Sequence, residues 1–179
     1  MTESAIVLIG PMGAGKTSIG RRVARALGVP FADSDKIVVR DHGSIAELFA
    51  HGGEAHFREL ERTAVREALA GGGVVALGGG AVLDEQTRAD LARHRVVQLT
   101  VEPRVVAARI AGDARPLVAG KDPIARWTRI LEERQPIYDA VADVTFDTSS
   151  GPLADIVAKI VAWAGGDAAV PHLTTEEDA

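Results

Sequence analysis

Gly10 to Thr17, Gly-Pro-Met-Gly-Ala-Gly-Lys-Thr, fits the pattern G-x-x-x-x-G-K-[ST] at every fixed position, and each fixed residue type has a physical task. Gly10, Gly13 and Gly15 allow positive φ and let backbone N–H groups converge on phosphate oxygens, while the helix that follows points its positive dipole end at the same anion. Gly13, Ala14, Gly15, Lys16, Thr17 and Ser18 are therefore the expected nucleotide-binding residues. Lys16 can reach the β and γ phosphates. Thr17 offers a hydroxyl to Mg²⁺, which takes oxygen ligands and bridges phosphates. The stretch implies a nucleoside triphosphate site.

Other groups are chemically suggestive and leave alternatives open. Asp33 and Asp35 stand two apart in an expected extended segment, which points both carboxylates to one side; helix capping by Ser34 or Asp35 accounts for them equally well. Arg58 and Glu61, three apart on an expected helix, make by themselves a surface salt bridge worth under about 1 kcal/mol. Gly78-Gly79-Gly80 follows an apolar run, and glycines at the carboxyl end of a parallel strand let a substrate approach the backbone; a plain turn is the alternative. Gly71-Gly72-Gly73, at a helix end, reads as a flexible connector. Residues 111–123 show no period and hold two Gly and two Pro, which suits a lid over about 111–124.

The elements that must position these groups alternate strand and helix, the pattern of a parallel sheet covered on both faces. Apolar runs predict strands at Ala5 to Ile9, Phe31-Ala32, Val74 to Leu77, Val96 to Val101 and Val144 to Phe146. Helices are expected at Thr17 to Leu27, Lys36 to Arg40, and Ser44 to Ala50 with a Ser44–Glu47 capping box. After a break at Gly52-Gly53, Glu54 to Leu69 turns Phe57, Leu60, Ala64, Val65, Ala68 and Leu69 inward. Asp84 to Ala92, Pro103 to Ile110, Ile124 to Tyr138 and Leu153 to Trp163 follow, and Pro136 should kink or end the third of these.

A chain of 179 residues, 46% hydrophobic and 25% charged, suits a single domain with a real core. That domain is taken as residues 1–164, and the polar remainder, 165–179, as a flexible tail. A net charge of −5 supplies no general basic field, so nucleic acid is not an expected partner. Cysteine is absent, which excludes disulfides and cysteine-ligated metal. His42, His51, His56, His94 and His172 share no metal-ligand spacing. No signal pattern or apolar run of spanning length is present, so no membrane association and a cytoplasmic location are expected. Sixteen of the 20 basic residues are arginine, so an arginine carries information here only through its spacing and neighbours.

Missing motifs narrow the activity. The chain contains no Asn, no Thr-Lys and no Asp-x-x-Gly, which a GTPase switch and its guanine reader require. A motor ATPase would normally end a buried strand in Asp or Asp-Glu, whereas the strands here end in Gly78-Gly79-Gly80 and Thr100. Small size and a candidate lid with an arginine near its start suit a small-molecule kinase, which must keep water from taking the phosphate.

The phosphate loop, Asp33-Ser34-Asp35, Ser44-Ile-Ala-Glu-Leu-Phe through Gly53-Glu54 to Phe57-Arg58-Glu59-Leu60-Glu61, Leu77-Gly78-Gly79-Gly80-Ala81-Val82, Arg115-Pro116-Leu117 and Arg134-Gln135-Pro136-Ile137-Tyr138 occur in that order. Together they resemble the shikimate kinase family over about residues 4 to 163. The resemblance implies an α/β, three-layer P-loop kinase fold of the nucleoside monophosphate kinase type. Its parts would be a five-stranded parallel sheet, a substrate-binding region at about 34–62 and a mobile lid. It also implies transfer of the γ-phosphate of ATP to the 3-hydroxyl of shikimate, on the route to chorismate and the aromatic amino acids.

By the same resemblance, Arg58 and Arg134 hold the shikimate carboxylate, and Asp35 accepts from the ring hydroxyls and orients or deprotonates the attacking oxygen. Gly78, Gly79 and Gly80 line the substrate, Gly79 through its N–H. Asp33 joins Thr17 in holding Mg²⁺, Glu61 positions Arg58, and Lys16 with lid Arg115 neutralises charge on the transferring phosphoryl group. One departure is implied: the basic residue expected near the adenine after the last strand is replaced by Thr148-Ser149-Ser150-Gly151-Pro152. This leaves Arg109 to stack on the base from the other side. ATP and shikimate are the expected partners of a monomer. The alternatives are a small-metabolite kinase of the gluconate kinase type and a non-catalytic nucleotide-binding interaction protein.

Overall fold

The computed structural model describes residues 4–110 and 122–166. Strands β1 (Ile6–Ile9), β2 (Phe31–Asp33), β3 (Val74–Ala76), β4 (Arg95–Thr100) and β5 (Val144–Asp147) form one five-stranded sheet in the order β2-β3-β1-β4-β5. All its pairings are parallel, with Ile6 opposite Val74 on one side and Arg95 on the other. The strand feeding the phosphate loop is therefore the centre of the sheet. After β1 the chain first builds outward to β2 and later returns to the other side with β4. A loop at that reversal opens at the carboxyl edge, where open sheets of this kind hold ligands.

Strand periodicity divides the core in two. Ile6 and Leu8 join one buried cluster with Ile19, Val23, Val97, Leu99, Trp127, Ile156 and Ile160. Ala5, Val7 and Ile9 join another with Val65, Leu69, Val75, Leu77 and Tyr138. Helices α1 (Lys16–Leu27) and α7 (Leu153–Ala164) cover the first face. Helix α3 (Ile45–Ala70) covers the second, and α2 (Ser34–His42) packs on α3 through a smaller cluster of Val38, Phe57 and Ala64. Among the described residues the remaining α-helices are α4 (Glu85–Leu91), α5 (Pro103–Ile110) and α6 (Pro123–Val141). Because α6 gives Trp127 to the first cluster and Tyr138 to the second, it passes from one face of the sheet to the other.

Several local expectations change. Pro136 lies inside α6, which runs on to Val141 instead of ending near Tyr138. The lost backbone hydrogen bond costs about 3 kcal/mol, but the continuation buries Tyr138 and packs Ile137 and Val141 on the second cluster. Ser44 caps α3 without a side-chain hydrogen bond, so the capping box does not form. Gly53 breaks α3 as expected, with φ 74° and ψ 178°. Gly71-Gly72-Gly73, expected as a plain connector, makes a close approach at its last residue. Gly73 has φ 70°, a Cβ there would overlap the Pro30 carbonyl oxygen, and the Gly73 carbonyl accepts from Ile6 N at 2.8 Å. Among the described residues no helix is long and apolar enough to cross a membrane.

Candidate active site

The phosphate loop and the segments after β2 and β3 wall a cavity of about 510 Å³ at the carboxyl edge of the sheet. Gly10, Gly13 and Gly15 have φ of 132°, 84° and 89°, so the loop uses the left-handed backbone only glycine adopts without strain. Gly10 is needed twice over, since a Cβ there would overlap the Leu99 carbonyl oxygen. Lys16, the first residue of α1, folds its Nζ back onto the Gly10 and Pro11 carbonyls at 2.8 and 2.9 Å. Gly13, Gly15, Lys16, Thr17 and Ser18 line the cavity, and Ala14 is buried behind it.

Asp33 ends β2 and caps α2 by accepting from Lys36 N at 3.2 Å, so the cap is neither Ser34 nor Asp35. Its other oxygen accepts from Thr17 Oγ1 at 2.7 Å. Ser34 Oγ turns the opposite way and accepts from Gly78 N at 2.9 Å, which ties the glycine segment to α2. Asp35 is the first-turn acid of α2. Both carboxylates face the cavity, although Asp35 is helical rather than extended.

Arg58 and Glu61 are not a surface pair. Arg58 Nη1 donates to Glu61 Oε2 at 2.5 Å, Nη2 donates to Glu54 Oε1 at 3.0 Å, and the Glu61 side chain is 3% exposed. Burial raises the Glu61 carboxyl above its ordinary value; Arg58 opposes this and Asp35 adds to it. Burial works against the Arg58 charge, yet Glu61 and Glu54 more than offset it, so its guanidinium is held more firmly protonated than usual. Arg58 Nε is buried with no hydrogen-bond partner.

The three glycines differ in task. A Cβ on Gly78 would stand 2.6 Å from both Asp35 Oδ1 and Glu61 Oε1, so Gly78 leaves room for two carboxylates and does not itself line the cavity. A Cβ on Gly80 would stand 2.5 Å from Arg58 Cζ. Gly79 and Gly80 line the cavity. The Gly79 carbonyl accepts from Tyr138 Oη at 2.5 Å. Burial raises the Tyr138 phenol pKa, and the Arg134 charge beside it works the other way. Arg134 is 7% exposed and faces the same cavity as Arg58.

Arg109 reaches the loop, donating to the Gly13 carbonyl at 2.9 Å and the Thr148 carbonyl at 3.0 Å. Arg115 and residues 111–121 of the expected lid lie outside the described residues. Sequence reasoning assigned no site task to Tyr138, Trp127 or Thr148. The i, i+4 spacing of Arg134 and Tyr138 was available as a signal, but Pro136 between them argued against a continuous helix. Among the described residues no group of three or more His, Cys, Asp or Glu could hold a metal. Thr17 Oγ1 beside Asp33 Oδ2 is instead the kind of oxygen pair that suits Mg²⁺, which keeps several waters and takes its other ligands from phosphate.

Residues 12–164 match the family model for shikimate kinase. The chain is 50% identical over 165 residues to a shikimate kinase of Thermobifida fusca, covering 89% of this chain and 95% of that one. It is 43% identical over 163 residues to one of Corynebacterium efficiens, covering 90% and 96%. The structure of an Acinetobacter baumannii shikimate kinase in complex with shikimate superposes with a TM-score of 0.88 at 34% identity, covering 93% and 96% of the two chains.

Proposed function

The chain belongs to the shikimate kinase family, and from that premise we propose how its own residues move the γ-phosphate of ATP to the 3-hydroxyl of shikimate. The activity is that of an ATP-dependent kinase giving shikimate 3-phosphate and ADP. The observation that carries the assignment of roles is the convergence of Arg58, Arg134, Asp35 and Lys16 on one cavity. Arginines suit a carboxylate, an acid suits ring hydroxyls, and a phosphate loop stands alongside.

Arg58, locked by Glu61, and Arg134 on α6 bind the shikimate carboxylate. Gly79 and Gly80 bring backbone against the ring, with Gly79 offering its N–H. Asp35 accepts from the attacking hydroxyl and orients it toward the phosphate, and takes its proton as the bond forms. The loop N–H groups and Lys16 bind the phosphates; Lys16 leaves the Gly10 and Pro11 carbonyls to do so. Thr17 and Asp33 would hold Mg²⁺, with the Asp33 carboxylate oriented by Lys36 N. When bound, the ion draws charge from the phosphate oxygens. Arg115, on the lid, neutralises the transferring group on closure, and Arg109 stacks on the adenine. The reading is of a monomer in the cytoplasm.

A coupled ADP-release assay with ATP, Mg²⁺ and a panel of shikimate, gluconate and other small polyols tests this. Release dependent on shikimate is expected, because closure follows acceptor binding. Equal release with and without shikimate, or preference for gluconate, would overturn it.

A further inference from the structure

Each carbonyl of the phosphate loop from Gly10 to Gly15 is held by a donor, and the middle three are held from far along the chain. Gly10 and Pro11 are taken by Lys16 Nζ, and the Gly15 carbonyl by Ile19 N at 2.9 Å. Between them, the Met12 carbonyl accepts from Trp127 Nε1 at 2.9 Å, Gly13 from Arg109 Nη1 at 2.9 Å, and Ala14 from Thr148 Oγ1 at 3.0 Å. The three donors stand on α6, on α5 and just after β5.

A loop that aims successive N–H groups at an anion must turn its carbonyls away from it. Glycines make this loop able to adopt that shape, and equally able to leave it by rotation of a peptide plane toward the phosphate. Lys16 cannot hold the loop throughout, since it departs to the phosphates. The distal donors can stay. Trp127 and Thr148 are 1% and 3% exposed, outside the cavity wall, and Thr148 Oγ1 lies 3.0 Å from both the Ala14 and the Thr100 carbonyls, so its single proton is shared between the loop and the end of the sheet.

We propose that Trp127 and Thr148 are positioning residues for the nucleotide. With Arg109 they peg the carbonyls of Met12, Gly13 and Ala14 outward, so that the loop N–H groups stay turned to the phosphates. Thr148 occupies the segment that lacks the basic residue expected there, and it serves the nucleotide through the loop. This inference rests on nucleotide binding at the loop, which the same experiment checks separately.

The test titrates ADP into the full chain by calorimetry and measures KM for ATP and for shikimate, with unfolding midpoints as a control. Thr148→Val removes the donor at nearly constant shape, and Thr148→Ser restores it. Trp127→Phe keeps a ring without its N–H. Thr148→Val and Trp127→Phe should each weaken ADP binding and raise KM for ATP roughly five- to tenfold, the effect of one lost hydrogen bond. Thr148→Ser should stay near the unsubstituted protein, and KM for shikimate should not move. ADP affinity unchanged in folded Thr148→Val, or ATP and shikimate affinities falling together, overturns the pegging. If Trp127→Phe fails to fold, the Thr148 pair decides. Failure of the unsubstituted chain to bind ADP would refute the nucleotide reading itself.

Discussion

The Arg58 guanidinium lies against the Cα of Gly80, so that a Cβ built on that glycine would stand 2.5 Å from Arg58 Cζ. Gly80 is thus a seat for an arginine. Gly80→Ala should push the guanidinium out of line with Arg134 while leaving Lys16 and the loop undisturbed. KM for shikimate should rise on the order of tenfold, about 1.4 kcal/mol, with kcat nearly constant. Steady-state kinetics checks it; an unchanged KM would mean that Arg58 shifts without consequence.

Arg58 and Arg134 are assigned to a carboxylate that does not change during phosphoryl transfer, so their contacts are equal in ground and transition states. Arg58→Ala and Arg134→Ala should mainly raise KM for shikimate. Kinetics should show a loss of roughly 30- to 1,000-fold in kcat/KM, about 2 to 4 kcal/mol for a buried charge-assisted contact. Arg115→Ala should instead mainly lower kcat, as expected of a group that meets the phosphates only on closure.

Lys16→Met should abolish turnover. The ammonium here bonds to loop carbonyls on the cavity wall, outside both core clusters, so circular dichroism and the unfolding midpoint should stay close to those of the unsubstituted protein. Wild-type rates in a folded Lys16→Met chain would remove the loop from the mechanism.

Glu61 should leave a signature in the pH dependence of stability. Its carboxyl is raised above 4.5 by burial, against Arg58 and with Asp35, so the folded chain keeps this proton where the unfolded chain has lost it. More protons on the folded form mean that stability falls as pH rises from about 4.5 through the raised value. Glu61→Gln cannot titrate. Urea unfolding from about pH 4 to 7 should show the unsubstituted chain losing stability relative to the variant across that window. A relative gain would mean that the Arg58 ion pair outweighs burial.

The phosphate loop was legible because its chemistry is local: three glycines, a lysine and a hydroxyl within eight consecutive residues determine backbone conformation and anion affinity together. Strands β1 and β3 were legible because a strand buried on both faces must be apolar along its length. Local rules did not foresee that α6 continues past Pro136 or that the Gly71-Gly72-Gly73 turn packs closely. A propensity of about 3 kcal/mol was outweighed by burial of Tyr138 against the second cluster, and Gly73 packs so closely on Pro30 that no side chain fits there.

From the sequence alone came the loop, the alternation of strand and helix and, through the order of its motifs, the family. Only the tertiary structure decided whether Arg58 and Glu61 were a solvated pair or a buried one, because their spacing is the same in both cases and burial depends on what Gly78 and Gly80 bring against them. It alone also decided which carbonyls Trp127, Tyr138 and Thr148 hold. Those bonds join residues separated by 115, 59 and 134 positions, and no local period encodes a pairing made by the closing of a sheet and the path of one helix across its end.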